Sequence, residues 1–175
     1  MFEREAALPL AKRYAVADDI PALDAGKAIA EGDYSVANLK TIFEWKTGGR
    51  GRSRLQKNSD AEVNDALWLA TIAKERRSAI AVLIGLHGVD VPVASAIITA
   101  IYPESFTVID FRALAALGSN TADRTIGFYL QYLNYCTTKA AEWNLSLRDF
   151  DRALWQWSKE QPKMPEMLPV TDVSK

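Results

Sequence analysis

Cysteine and histidine are nearly missing from this chain, with one of each. A lone cysteine, Cys136, excludes an internal disulfide framework and any cysteine-rich zinc site. A lone histidine, His87, excludes metal sites built on histidine pairs and argues against a serine–histidine relay. No resident metal or cofactor is therefore expected. Long apolar runs are missing too. The longest, residues 79–86 and 91–102, stop well short of the ~20 residues a membrane span needs, so no membrane partner is expected. The chain opens Met1-Phe2-Glu3-Arg4-Glu5, charged from the start and without an apolar signal core, which reads as a cytoplasmic protein. What is present is 49% apolar and 25% charged residues over 175 positions, the profile of a globular protein with a core of one domain.

Neither sign of charge dominates: 21 basic side chains stand against 22 acidic ones, a net charge of −1. Binding nucleic acid through bulk charge would need a strongly basic chain. The distribution says more than the sum. Lys46, Arg50, Arg52, Arg54 and Lys57 follow one another with no acid among them, in a stretch that also holds Gly48, Gly49 and Gly51. Without these five, 16 bases face 22 acids, a remainder of −6. The stretch reads as a local anion site on an acidic body, or else as a solvated basic loop.

Alternation of period two is almost absent, and helical periodicity runs through the chain, so the expected fold class is all-α, in one domain over residues 1–161. Helices are expected over residues 19–31, 36–46, 60–72 (with Asp60 as N-cap), 78–86 and 91–102, with a glycine-rich loop over residues 47–58. Pro103 stops the fifth of these helices. Residues 106–109, Phe-Thr-Val-Ile, read as extended. Asp110 then opens a short helix that Gly118 closes. Two further helices are expected over residues 125–143 and 146–161, the second capped by Ser146 with Asp149 three residues on. Residues 162–175 hold three of the seven prolines and read as a tail. Cys136, Phe128, Tyr132, Tyr135, Trp155 and Trp157 are expected in the core, with Trp157 the one that could border a cleft. Trp45 is expected to pack inward rather than serve as a stacking platform.

The most specific feature is the gap of four residues, His87-Gly88-Val89-Asp90, between two apolar helices. So tight a turn needs positive φ, which Gly88 supplies. Pro92 suits the first turn of the following helix, and the backbone N–H groups there are expected to point outward as a phosphate site. A plain antiparallel helix pair is the other reading of these residues.

The segment Leu83-Ile84-Gly85-Leu86-His87-Gly88-Val89-Asp90-Val91-Pro92-Val93-Ala94-Ser95-Ala96 resembles the helix–hairpin–helix of the DNA glycosylase superfamily, which includes endonuclease III-like, adenine and alkyl-base glycosylases. That family carries an aspartate at the start of the next helix, after a short extended stretch. Phe106-Thr107-Val108-Ile109-Asp110-Phe111-Arg112 stands at the matching distance. The resemblance implies a DNA partner, a role in base-excision repair, and Asp110 as the catalytic carboxylate of a two-layer helical enzyme. It further implies that Gly88, Val89, Asp90, Val91 and Val93 hold the DNA backbone, with room for a monovalent cation on the hairpin carbonyls. Lys46, Arg50, Arg52 and Arg54 would grip phosphates. Where bifunctional members carry a nucleophilic lysine this chain has Pro92, so the implied activity is monofunctional N-glycosidic cleavage. Asp90 replaces a hairpin glycine, and the glutamine-rich segment that wedges a duplex open has no match. A non-catalytic DNA-binding module and a protein-interaction domain are the competing readings, and Asp110 read by itself is an ordinary N-cap.

Overall fold

The structure is a computed structural model and describes residues 2–161. Its regular elements are helices throughout, with no strand among the described residues. They run α1 (Arg4–Arg13), a 3-10 turn (Val16–Asp18), α2 (Ile20–Ala30), α3 (Val36–Thr47), α4 (Arg52–Leu55), α5 (Asp60–Ile72), α6 (Arg76–Ile84), α7 (Val91–Ile101), α8 (Phe111–Ala116), α9 (Ile126–Glu142) and α10 (Leu147–Glu160). None is long and apolar enough to cross a membrane.

The architecture is organised around α7. Of its eleven residues only Pro92 is not buried, and a helix that is apolar on every side belongs inside the molecule. It is sheathed by α2, α3 and α6. Contact with α2 is so close that a Cβ at Gly26 would stand 2.0 Å from the Ala100 carbonyl oxygen. On the far side α10 packs along α1 and against α8 and α9. Phe2, Trp143 and Phe150 meet edge to face or tilted at 5.4–5.8 Å, which fastens the start of the chain to α9 and α10.

Several boundaries follow from capping. Thr125, Ser146, Asp90 and Asp110 each accept the N–H three residues ahead, as N-caps do. The cap of α5 is Ser59 rather than Asp60. Its hydroxyl accepts the Glu62 N–H while the Glu62 carboxylate takes the Ser59 N–H, a reciprocal capping box. Gly88 and Gly118 adopt positive φ, +82° and +71°. The stretch expected as a loop over residues 47–58 contains one helical turn, α4, entered through three glycines of positive φ, Gly48, Gly49 and Gly51.

Helix α1 has no counterpart among the expected elements. Pro9 sits inside it and removes a backbone donor, and its buried stripe is Ala7, Leu10 and Ala11, too small to stand out in the sequence. Packing on α10 and a bidentate Arg13–Glu160 pair at 2.9 and 2.8 Å hold it in place. The expected tail over residues 162–175 lies outside the described residues.

Gly26→Ala should destabilise the protein by about 3 kcal/mol, because the added methyl meets backbone that cannot step aside. Gly127→Ala in α9, where a Cβ would meet only the Thr125 hydroxyl at 3.9 Å, should be neutral or stabilising by up to about 1 kcal/mol. Urea denaturation of the two variants checks the contrast, and equal losses would disprove the backbone contact.

Candidate functional site

Residues 106–109 belong to no helix and have no strand partner, yet Phe106, Thr107, Val108 and Ile109 are all buried. Buried peptide groups require partners, and here side chains provide them. The Tyr129 hydroxyl donates to the Thr107 carbonyl and the Tyr132 hydroxyl to the Val108 carbonyl, each at 3.0 Å. The Ile109 N–H donates to the Ser95 hydroxyl at 3.1 Å, and the Lys46 ammonium reaches the Ile109 carbonyl at 3.3 Å. Four side chains from α9, α7 and α3 thus fix the stretch that delivers Asp110. Burial raises the Tyr129 and Tyr132 hydroxyls above the usual tyrosine range, so both remain protonated donors.

Asp110 uses both carboxylate oxygens. Oδ1 accepts the Ala113 N–H at 2.9 Å and caps α8, while Oδ2 pairs with the Lys46 ammonium at 3.3 Å. The pair is partly covered, with the Lys46 side chain 11% and the Asp110 side chain 21% exposed. It opens onto a cleft of about 200 Å³, walled by the rings of Tyr14, Trp45 and Trp155 and by the charged groups of Arg148, Asp151, Arg152 and Lys159. Trp45 is therefore half-buried at the cleft wall rather than wholly inside. Of the two tryptophans of α10 it is Trp155, not Trp157, that borders the cleft. Tyr135, expected in the core, is exposed, whereas Cys136 is buried and its thiol is pushed up by that burial.

Asp19 anchors the wall. It is fully buried and does not cap α2. Its Oδ1 accepts the Tyr14 hydroxyl at 2.7 Å and the Trp45 indole N–H at 3.2 Å; its Oδ2 accepts Arg148 at 2.7 Å and Arg152 at 3.0 Å. Arg148 also pairs with Asp151. Burial works against the Arg148 charge, but Asp151 and Asp19 outweigh it and keep the guanidinium above its usual range. Asp151 shifts upward, to about 6, because burial outweighs the pull of Arg148.

The turn between α6 and α7 lies against the basic stretch. A Cβ at Gly88 would come within 3.0 Å of the Leu55 nitrogen and 3.1 Å of the Arg54 Cβ, so glycine is required by space as well as by φ. Asn58 clamps the turn from the side, accepting the His87 N–H at 2.8 Å and donating to the His87 carbonyl at 3.0 Å. Val89, Val91 and Val93 send their side chains into the core. The Val93 N–H, expected to face outward for a phosphate, is taken by the Asp90 carboxylate at 3.0 Å, since an aspartate at the N-cap fills that position itself. The His87 carbonyl accepts from the Asn58 amide and the Leu86 carbonyl from the Val89 N–H. Beside the turn, a groove of about 300 Å³ is lined by Asn58 and His87 and bordered by Glu62 and Asp65. Among the described residues no group of three or more His, Cys, Asp or Glu could hold a metal ion.

Arg50, Arg52 and Arg54 are exposed. Arg52 pairs with Glu44 at 2.7 Å, and the Arg50 Nε donates to the Thr47 carbonyl at 3.1 Å. They do not line the cleft, whereas Lys46 does, and it links the two regions through α3. Tyr14, Asp19, Arg148, Asp151, Arg152 and Trp155 are the site residues that sequence reasoning missed. The spacing of Arg148, Asp151, Arg152 and Trp155 on one face of α10 was the available signal. Comparison with protein-family models, with curated proteins and with solved structures finds no match for this chain.

Two measurements test the buried charges. Asp19→Ala leaves two arginines without their shared carboxylate and should cost about 3–5 kcal/mol in urea denaturation. Asp151, protonated up to about 6 in the folded protein, binds a proton that the unfolded chain releases near 4. Its contribution to stability is therefore greatest below pH 4 and is lost as pH rises through 6. Relative to Asp151→Asn, the parent should lose stability between pH 4 and 7. A constant difference between the two proteins across that range would contradict the shift.

Proposed function

We propose that this chain is a DNA-binding protein of the helix–hairpin–helix kind whose cleft cleaves an N-glycosidic bond, with Asp110 as the essential carboxylate. One observation carries the reading: Asp110 is held by its cap and by Lys46 at the edge of a cleft with aromatic walls, and the same α3 leads on to Arg50, Arg52 and Arg54. At about 200 Å³ the cleft is below the ~300–1,000 Å³ of common small-molecule pockets, and suits a single planar group such as one base turned out of its stack.

The chemistry follows from charge. As the bond between base and sugar breaks, positive charge develops on the sugar ring, and a fixed carboxylate stabilises it. Oδ1 of Asp110 stays on the Ala113 N–H and sets the orientation, while Oδ2 faces the reacting sugar once Lys46 turns toward a phosphate. Tyr14, Trp45 and Trp155 exclude water and offer ring surface to the base. Pro92 provides no amine, which supports hydrolysis without strand scission. Such an activity belongs to base-excision repair.

A second reading is favoured by a specific feature: both oxygens of Asp110 are already engaged, and Asp90 occupies the N–H that a phosphate would need. A non-catalytic DNA-binding module would look like this too. Base release separates the two.

Replacing Arg50, Arg52 and Arg54 together by Gln should weaken DNA binding strongly at low salt. The salt slope should become shallower by about 0.9 for each phosphate that is no longer neutralised. Unchanged binding across a salt titration would reduce the basic turn to solvated surface. Asp110→Asn keeps the cap, because asparagine caps helices nearly as well, but it removes the charge that pairs with Lys46, so the variant should melt a little below the parent and still bind DNA. Its single-turnover base release, on duplexes carrying alkylated, deaminated or oxidised bases and developed with alkali, should fall by about 100-fold or more. No release by the parent establishes the module. Strand scission without alkali would implicate an amine, and Lys46 is the one beside Asp110.

A further inference from the structure

We propose that the exposed face of α5 is the surface through which two copies of this chain associate, with the two helices antiparallel about a two-fold axis near Trp68. The surface involves no residue of the cleft, the basic stretch or the α6–α7 turn, so it does not depend on the proposed function.

Helix α5 carries more apolar surface than the fold covers. From Ala66 to Ile72 it reads Ala-Leu-Trp-Leu-Ala-Thr-Ile, apolar at every position but one. A helix that is apolar on all sides belongs in an interior. Here α6 and α3 pack against it, and the buried side is Val63, Ala66, Leu67 and Ala70. Trp68 and Ile72, one helical turn apart and hence on one face, remain 44% and 53% exposed. Two partly buried tyrosines widen the patch beside Ile72. The Tyr34 and Thr71 hydroxyls share a hydrogen bond at 3.4 Å, and the Tyr102 hydroxyl donates to the Thr71 carbonyl at 3.3 Å. Single apolar side chains are ordinary on a surface, but a tryptophan and an isoleucine grouped with two tyrosine rings form the kind of patch that a partner covers.

The charges around the patch identify that partner. Asp60, Glu62 and Asp65 precede it, and Lys74, Arg76 and Arg77 follow it, all exposed. Three acids give −3 at one end; three bases with Glu75 among them give +2 at the other. None of these seven forms a salt bridge among the described residues. Their positions are symmetric about Trp68: Asp60 and Glu62 stand eight and six residues before it, Lys74 and Arg76 six and eight after it. A two-fold axis at Trp68 therefore sets the acidic end of each helix against the basic end of the other. The same patch then meets itself, as a closed dimer requires. The tryptophan falls at the centre, where aromatic anchors contribute most to an interface. An anionic membrane would attract the basic end and repel the acidic one, and a partner strongly charged in one sense would match a single end. A second copy matches both.

The test is sedimentation velocity on the full chain from about 1 to 200 µM. The parent should move from its monomer mass of 19.4 kDa toward twice that value. Trp68→Ala and Ile72→Ser should each raise the dissociation constant by about tenfold or more, while melting close to the parent at concentrations where both are monomeric. Two charge variants test the orientation. They spare Glu62, which closes the capping box, and Arg76, which lies over the Phe106 ring at 5.8 Å. Asp60→Lys with Asp65→Lys makes both ends basic, and Lys74→Glu with Arg77→Glu makes both ends acidic. Each should be monomeric across the range by itself, and an equimolar mixture should form a heterodimer. A parent that stays monomeric overturns the inference, as does a Trp68→Ala variant that dimerises like the parent. Failure of the mixed charge variants to associate overturns it too, because the helices are then not antiparallel. If the monomeric parent instead floats with phosphatidylserine vesicles, a membrane covers this face and the inference is equally overturned.

Discussion

A carboxylate removed completely from water must be compensated by charge and hydrogen bonds, or it will not stay buried as a charge. Asp19 meets that demand by gathering donors from three separate parts of the chain: Tyr14 just after α1, Trp45 on α3, and Arg148 and Arg152 on α10. These same residues wall the cleft. One buried acid thereby ties the residue after α1 and the Trp45 ring of α3 to two arginines of α10. Cation–aromatic contacts of Arg148 with Tyr14 and Trp45, at 5.9 and 5.5 Å, add attraction in the same place.

A second constraint operates across the cleft. The buried segment before α8 runs through the interior without a sheet, and Tyr129, Tyr132, Ser95 and Lys46 satisfy its peptide groups. Because each bond comes from a different turn or helix, the segment has little freedom to shift along the core. The carboxylate at its end is accordingly fixed by both main-chain register and cap.

The electrostatic layout is local rather than global. Arg50, Arg52 and Arg54 lie exposed on one turn, with Arg4, Arg13, Arg76 and Arg77 exposed elsewhere, while Arg112 and Lys159 stack on the Trp155 ring and Glu62 and Asp65 border a groove beside the α6–α7 turn. At the start of α7 the Asp90 carboxylate takes the Val93 N–H and neutralises the helix terminus.

The sequence by itself determined the all-helical class, the ends of most helices, the positive φ at Gly88 and the place of Asp110 at the start of α8. Each is a local matter: periodicity, a capping side chain or a glycine acts within a few residues. Even there the local rules faltered where signals were small or crowded, as with the alanine stripe of α1 around Pro9, the single turn of α4 among glycines, and the choice of Ser59 over Asp60. The tertiary structure alone decided what surrounds Asp110. Lys46 reaches it across 64 residues, and Arg148 meets Asp19 across 129. Nothing within one helix encodes such distances. The pairing arises because buried charges and buried peptide groups must find partners wherever the packing of helices brings donors within reach, and that condition is met only when the whole core has closed.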